Sequence, residues 1–226
     1  METGALVVNV IKKIIGRISN GDYPIGKRLP AERELCRQLD VSRGTLRKAL
    51  ADLEALGVVA RRHGSGTIVT RLAPKQLPSH VLPMGFRDLS LEDVNYARKT
   101  IELAALDYCN GRLNNMALKR MKTLVSLMAT NLYVLPEFLR YDAEFHQVLV
   151  QASGNPAIFA AYCAIEEYRR FLQIYTTLNE KDEEISLEYH RKILAALEAR
   201  NKTLARRYLT AHLNDVVKGA LRAQQK

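Results

Sequence analysis

Apolar residues recur along the first third of the chain with helical spacing. Leu6 and Val7, Val10 and Ile11, Ile14 and Ile15, and Ile18 follow one another at three and four residues, a stripe that predicts an amphipathic helix ending at Asn20–Gly21. A turn from Asp22 to Gly26 follows. Pro30 suits the opening of a second helix that Glu32–Leu39 would fill, and Asp40–Val41 breaks it. Ser42 can cap a third helix, with Leu46, Leu50, Leu53 and Leu56 facing inward and Gly57 ending it. Two β-branched runs, at 58–62 and 67–70, then flank a glycine-bearing connection, His63–Gly66, which reads as a hairpin. Short helices across a tight turn followed by a β-hairpin describe a winged helix-turn-helix.

From Leu89 onward the pattern is helical throughout. About six amphipathic stretches are separated by turn chemistry near Asn110–Gly111, Asn131, Ser153–Asn155, Asn179–Glu180 and Arg200–Asn201. Pro74, Pro78 and Pro83, followed by Gly85, lie between the two regions and favour extended connections. The expected fold class is mainly α: an N-terminal winged helix-turn-helix plus a C-terminal antiparallel all-α helical bundle. The expected divisions are the winged helix-turn-helix domain over 1–71, a linker over 72–88 and the all-helical domain over 89–226.

Composition narrows the class. The 226 residues carry no apolar run near the ~18 that a membrane span needs. The start lacks a basic segment, and Asn9, Lys12 and Lys13 interrupt Val7–Ile15, so no signal peptide is expected. Cys36, Cys109 and Cys163 are scattered and odd in number, which fits a reducing cytoplasm rather than a disulfide framework. The net charge is +10, and residues 1–71 hold 13 Lys and Arg against 7 Asp and Glu. That excess over a short segment points to nucleic acid, with the chain placed at the nucleoid.

The third helix begins Ser42–Arg43–Gly44–Thr45–Leu46–Arg47. Its first turns are expected to offer Ser42, Arg43, Thr45 and Arg47 outward, and a recognition helix reads the major groove with such N-terminal residues. Arg33, with Lys27 and Arg28, suits phosphate contacts, and His63 and Gly64 at the wing tip suit the minor groove. The run GDYPIGKRLPAERELCRQLDVSRGTLRKAL (residues 21–50), then LEALG and the hairpin ending GTIV, resembles the DNA-binding domain of the GntR family of bacterial transcription regulators. The resemblance implies DNA contacts by Arg33, Arg43 and Arg47, with Ser42 and Thr45 beside them and His63–Gly64 at the wing. Gly44 departs from the family, which often carries a larger residue there; the departure removes a contact and lowers local helix propensity.

In the second region, polar residues interrupt inward stripes. Asp142 and His146 lie four apart among Phe138, Phe145 and Leu149. His190 shares a stripe with Leu187, Leu194 and Leu197, and His212 one with Ala205, Leu209 and Val216. Arg98 lies between Val94 and Ile101 on the first helix of the region. Ionisable groups on apolar faces are costly unless paired or ligated, and three imidazoles with one carboxylate make an N3O set for a divalent metal: zinc first, with nickel, manganese or iron as alternatives. Arg98 nearby favours a carboxylate ligand. The Tyr96, Tyr108, Tyr162 and Tyr168 rings are expected in core or interface, and Glu166, Glu167, Arg169 and Arg170 on a solvated face.

The runs DAEFHQVLVQASGNP (residues 142–156), HRKILAALEARN (residues 190–201) and AHL are similar to the ligand-sensing C-terminal domain (FCD) of FadR-type GntR regulators, and RKTIE (residues 98–102) matches its arginine–glutamate signature. The resemblance implies metal ligation by Asp142, His146, His190 and His212, and six helices suggest the smaller, VanR-like form. It implies a homodimer on a near-palindromic double-stranded DNA operator, a small carboxylate effector, no membrane, and repression relieved by that effector. Two other readings stay open: a metal-dependent hydrolase on a DNA-binding tether, with Glu102 or Glu144 as general base, and a regulator whose metal is structural or is itself the signal.

Overall fold

The computed structural model describes residues 2–62, 66–70, 90–166, 168–170, 173 and 182–224. The linker over 72–88 and the wing-tip residues His63 and Gly64 lie outside the described residues.

Helix α1 (Glu2–Ser19) buries Val7, Val10, Ile11, Ile14, Ile15 and Ile18 as the stripe requires. Leu6 departs from it and stays exposed, while Val8 is buried instead. The shift follows from α1 having two neighbours. It packs on α3 (Arg43–Ala55) along one side, and on another it meets the helical region, where Lys12 Nζ pairs with Glu183 Oε2 at 3.0 Å. A side chain at Gly4 would place its Cβ 2.8 Å from that of Tyr133, so the approach there is close.

Helix α2 (Glu32–Leu39) starts two residues past Pro30, with Ala31 at the cap position and no side-chain cap. Asp40 ends it in the left-handed region, φ 54°, donating its N–H to Cys36 O. Helix α3 opens on Ser42, whose Oγ accepts the Thr45 N–H at 3.1 Å. Leu46, Ala49, Leu50 and Leu53 fill the core beneath it, with Leu56 half-buried. Gly57, at φ +73°, turns the chain into β1 (Val59–Arg62). That strand pairs antiparallel with β2 (Gly66–Val69) in the register Val59 to Val69 and Arg62 to Gly66. The first third is therefore a helix-turn-helix with a two-stranded wing.

The second region consists of α4 (Leu91–Tyr108), α5 (Asn115–Thr130), α6 (Leu135–Gln151), α7 (Pro156–Ala164), α8 (Asp182–Glu198) and α9 (Lys202–Gln224). Ser90 and Asp93 form a reciprocal capping box on α4, and Asn114 and Asn155 cap α5 and α7. The expected stretch between Ser153–Asn155 and Asn179–Glu180 is interrupted. A turn at Ile165 ends α7, and helical residues resume at 166, 168–170 and 173, so the one stretch expected there is divided. Helices α5 and α6 pack together, as do α8 and α9, while α4 lies against α6, α7 and α9. Buried apolar side chains of both regions, Val7 and Leu46 as well as Leu209 and Leu213, belong to one connected cluster. Among the described residues no helix is long and apolar enough to cross a membrane.

Candidate metal centre and nucleic-acid face

One turn of α6 separates Asp142 from His146, and both point into the bundle. His190 from α8 and His212 from α9 meet them there. One ligand atom from each of the four lies within 4.8 Å of the others, and all four residues are buried. His146 Nε2 stands 3.1 Å from His212 Nε2, and His190 Nε2 stands 3.3 Å from Asp142 Oδ1.

The surroundings fix which nitrogens face the centre. His146 Nδ1 sits 2.6 Å from Glu102 Oε2, and a carboxylate accepts, so Nδ1 carries the proton and Nε2 presents a lone pair. His190 Nδ1 donates to Ser186 O at 2.7 Å, which likewise leaves Nε2 bare; that atom is buried and has no hydrogen-bond partner. Bare imidazole nitrogens converging on a carboxylate are what a divalent cation requires, and an orphaned buried acceptor is what its absence would leave. Asp142 is held at both oxygens: Ser186 Oγ donates to Oδ1 at 3.2 Å, and Gln173 Nε2 to Oδ2 at 2.6 Å. The donor set therefore fits a metal.

Charge around this centre is strongly coupled. Burial alone would raise the Glu102 carboxyl, but His146 and Arg98 outweigh it and hold it at about 2. Burial works against the Arg98 charge as well, and Glu102, Tyr162 and Asp142 more than restore it, so its pKa rises. Arg98 Nε donates to Glu102 Oε1 at 2.7 Å, giving a relay from guanidinium through carboxylate to imidazole. Burial pushes His190 down to about 4 against the pull of Asp142, and drives His212 well below its ordinary value. Both imidazoles are neutral at pH 7, the form that ligates. The Asp142 carboxyl is lowered: burial opposes ionisation, and His190, His146 and Arg98 prevail.

The four expected ligands come together on the inward stripes, and Arg98 reaches them through Glu102. Glu102 has a different place from the one expected of a general base. It is locked between Arg98 and His146, and Glu144 pairs with Arg120 on the outer side of α6. Arg169 also departs from expectation: it is buried, lies 3.9 Å over the Tyr162 ring, and donates from Nη1 to the Tyr162 hydroxyl at 2.9 Å. Burial raises the pKa of that hydroxyl, with Glu102 adding to it. Tyr96 and Tyr108 lie exposed rather than in the core, whereas Tyr162 and Tyr168 are buried. Ser186, Gln173 and the orienting role of Glu102 were not read from the sequence. Ser186 lies four before His190 and Glu102 four after Arg98, so helical spacing offered a signal for both. Gln173 had none.

On the first region, Arg33, Ser42, Arg43 and Arg47 are exposed, as are Lys27 and Arg28. Thr45 corrects the expected outward set. It is buried, because its hydroxyl and backbone N–H both turn back to the Ser42 side chain, with the hydroxyls 2.9 Å apart. Arg47 Nε donates to Glu32 Oε2 at 3.0 Å and ties α3 to α2.

A winged helix-turn-helix joined to a helical domain with a buried Asp/His cluster is the architecture of a DNA-binding regulator. Residues 6–69 match the bacterial regulatory proteins of the gntR family, and residues 93–215 match the FCD domain. The chain belongs to the GntR family, in its FadR-type branch with an FCD domain, and is a transcriptional regulator of that type. It is 28% identical to the HTH-type transcriptional regulator YcbG of Bacillus subtilis, over 93% of this chain and 88% of the relative. It is also 28% identical to the HTH-type transcriptional repressor NanR of Cronobacter sakazakii, over 88% and 79% of the two chains. The solved GntR structure of Streptococcus agalactiae matches with a TM-score of 0.50 and 27% identity, covering 94% of this chain and 99% of that one.

Proposed function

We propose that the chain is a repressor whose DNA affinity answers to a small carboxylate bound at a metal centre formed by Asp142, His146, His190 and His212. The observation that carries this reading is the bare, unpartnered Nε2 of His190 facing three other ligand atoms, in a pocket whose hydrogen bonds pre-set the imidazole tautomers. Zinc suits this N3O set first, with nickel, manganese or iron as further fits. Arg98 supplies the cation for the effector's carboxylate. On the DNA side Arg43 and Arg47 read base edges, while Arg33 and Ser42 hold the backbone and His63–Gly64 reaches the minor groove. Two copies on a near-palindromic operator would set two such helices one helical turn apart. Domains over 1–71 and 89–226, joined by 72–88, would let occupancy of the bundle alter that spacing. Relatives named as repressors support the sign of regulation.

The test combines metal analysis with thermal shift of the full chain. Wild type should carry one equivalent of metal, and His146→Ala should lose it. Sugar and hydroxy acids are then screened with and without chelator, since a ligand of the native state adds about 2.7 kcal/mol at a hundredfold excess over Kd. A shift that chelator abolishes supports metal-mediated sensing. Stoichiometric metal in His146→Ala would falsify the ligand set. The near-complete burial of all four ligands favours one other reading, a closed structural metal. Chelator that lowers the melt while no acid raises it would establish that reading instead.

A further inference from the structure

The relay from Arg98 to His146 leaves a second buried guanidinium unexplained. Arg169 is 7% exposed, stacks on Tyr162 and spends Nη1 on its hydroxyl, yet its Nε is buried with no hydrogen-bond partner. An arginine donor left unsatisfied out of water is costly, and a carboxylate oxygen satisfies it with geometry that no neutral group matches. Its position links two parts of the bundle. On one side Tyr162 clusters with Ala105 and Val150 and with Ile101, on the stretch of α4 that carries Arg98 and Glu102. On the other, Arg169 lines a groove of about 660 Å³ together with Leu139 and Gln173, and Gln173 is the residue that holds Asp142 Oδ2. Ala55 and Leu56 at the end of α3 line the same groove. Two of the acidic residues on its rim are already engaged, Glu137 with Arg140 and Glu144 with Arg120.

We infer that Arg169, aimed by Tyr162, is a second carboxylate anchor, so that the effector is a dicarboxylate with one acid group toward Arg98 and the metal and the other on Arg169. This rests on the carboxylate-sensing reading above and specifies its ligand class. It also gives occupancy a short route to DNA: a ligand at Arg169 borders a groove that the C-terminal end of the recognition helix also lines.

The experiment is a binding series on the full chain loaded with zinc. Malonate, succinate, glutarate and tartrate are compared with acetate, propionate and lactate at matched ionic strength, by thermal shift and calorimetry. At least one dicarboxylate should bind tenfold or more tightly than its monocarboxylate counterpart. Arg169→Gln should erase that advantage while zinc content and monocarboxylate binding stay as in wild type. Tyr162→Phe keeps the ring and loses the hydroxyl that aims Arg169; it should weaken the dicarboxylate by about threefold and leave the monocarboxylate unchanged. A dicarboxylate preference that survives Arg169→Gln, or equal binding of both classes by wild type, overturns the assignment of Arg169 while leaving carboxylate sensing intact. No binding of either class to zinc-loaded wild type overturns both.

Discussion

The two regions of this chain bury opposite kinds of residue. Beneath the recognition helix the core is apolar, apart from Thr45, which meets Ser42, and Asp52, one of whose oxygens pairs with Lys48. The helical bundle buries Arg98, Glu102, Asp142, His146, His190 and His212 around one centre. In the first region Arg33 and Arg43, expected to contact a partner, are exposed and can be changed without touching what holds the fold. In the second, the candidate site is the core. Binding and stability are separable in one and linked in the other.

The largest effect should come from breaking that linkage at Glu102. Its carboxylate serves Arg98 at one oxygen and His146 at the other. Glu102→Ala leaves a buried guanidinium without its counter-charge, which typically costs about 3–5 kcal/mol. Denaturant unfolding of the metal-free chain should show a loss of that size. A loss below about 1 kcal/mol would mean that water reaches Arg98, and that the interior is less dry than its burial implies.

Next comes acid. The folded-state value of His190 is about 4, below the ordinary histidine value, and His212 is lowered further by burial. From about pH 6.5 down to 4 the unfolded chain binds protons that the folded chain refuses, so stability is present above that window and lost as pH falls through it. His190 alone contributes about 3 kcal/mol of this. Asp142 and Glu102, both lowered, extend the loss in the same direction at lower pH. Urea midpoints of the metal-free chain at pH 7, 5.5 and 4.5 should decline steadily. A flat series would show the histidines to be solvated or already protonated.

How much of this was legible follows from the same contrast. Exposed periodic faces announce themselves, so the wing, the capped recognition helix and the inward stripes carrying Asp142, His146, His190 and His212 could be read from spacing alone. Thr45 misled because its position on the helix does not reveal that its hydroxyl turns back to Ser42. Arg169 misled because a run of charges reads as a solvated face, and only the packing of Tyr162 brings it inside. Leu6 and Val8 exchanged roles because α1 faces two partners, and one stripe cannot report the second. Gln173 reaches Asp142 from another segment, a relation that no local pattern encodes.

On the surface side of the comparison, Arg43→Ala should reduce operator affinity by about 1–3 kcal/mol and relax preference at one base pair. Because Arg43 is exposed, chain stability should change by no more than about 0.5 kcal/mol. Competition binding against single-base operator variants, with melting of the same samples, measures both. Equal weakening on random DNA would assign Arg43 to the phosphate backbone rather than to a base edge.

The two regimes touch at Ser42. Its side chain caps α3 and braces Thr45, yet it is exposed on the proposed DNA face. Ser42→Ala should cost about 1 kcal/mol of stability through the lost cap. Ser42→Asp separates the two roles. An aspartate caps as well as serine and suits the positive end of the helix, so stability should stay within about 0.5 kcal/mol of wild type. On DNA the added negative charge meets phosphate, and operator binding should fall well below that of Ser42→Ala. If Ser42→Asp instead binds operator as wild type does, the N-terminus of α3 does not approach the backbone. The recognition surface would then centre further along the helix, at Arg47, whose guanidinium would have to leave Glu32 to reach DNA.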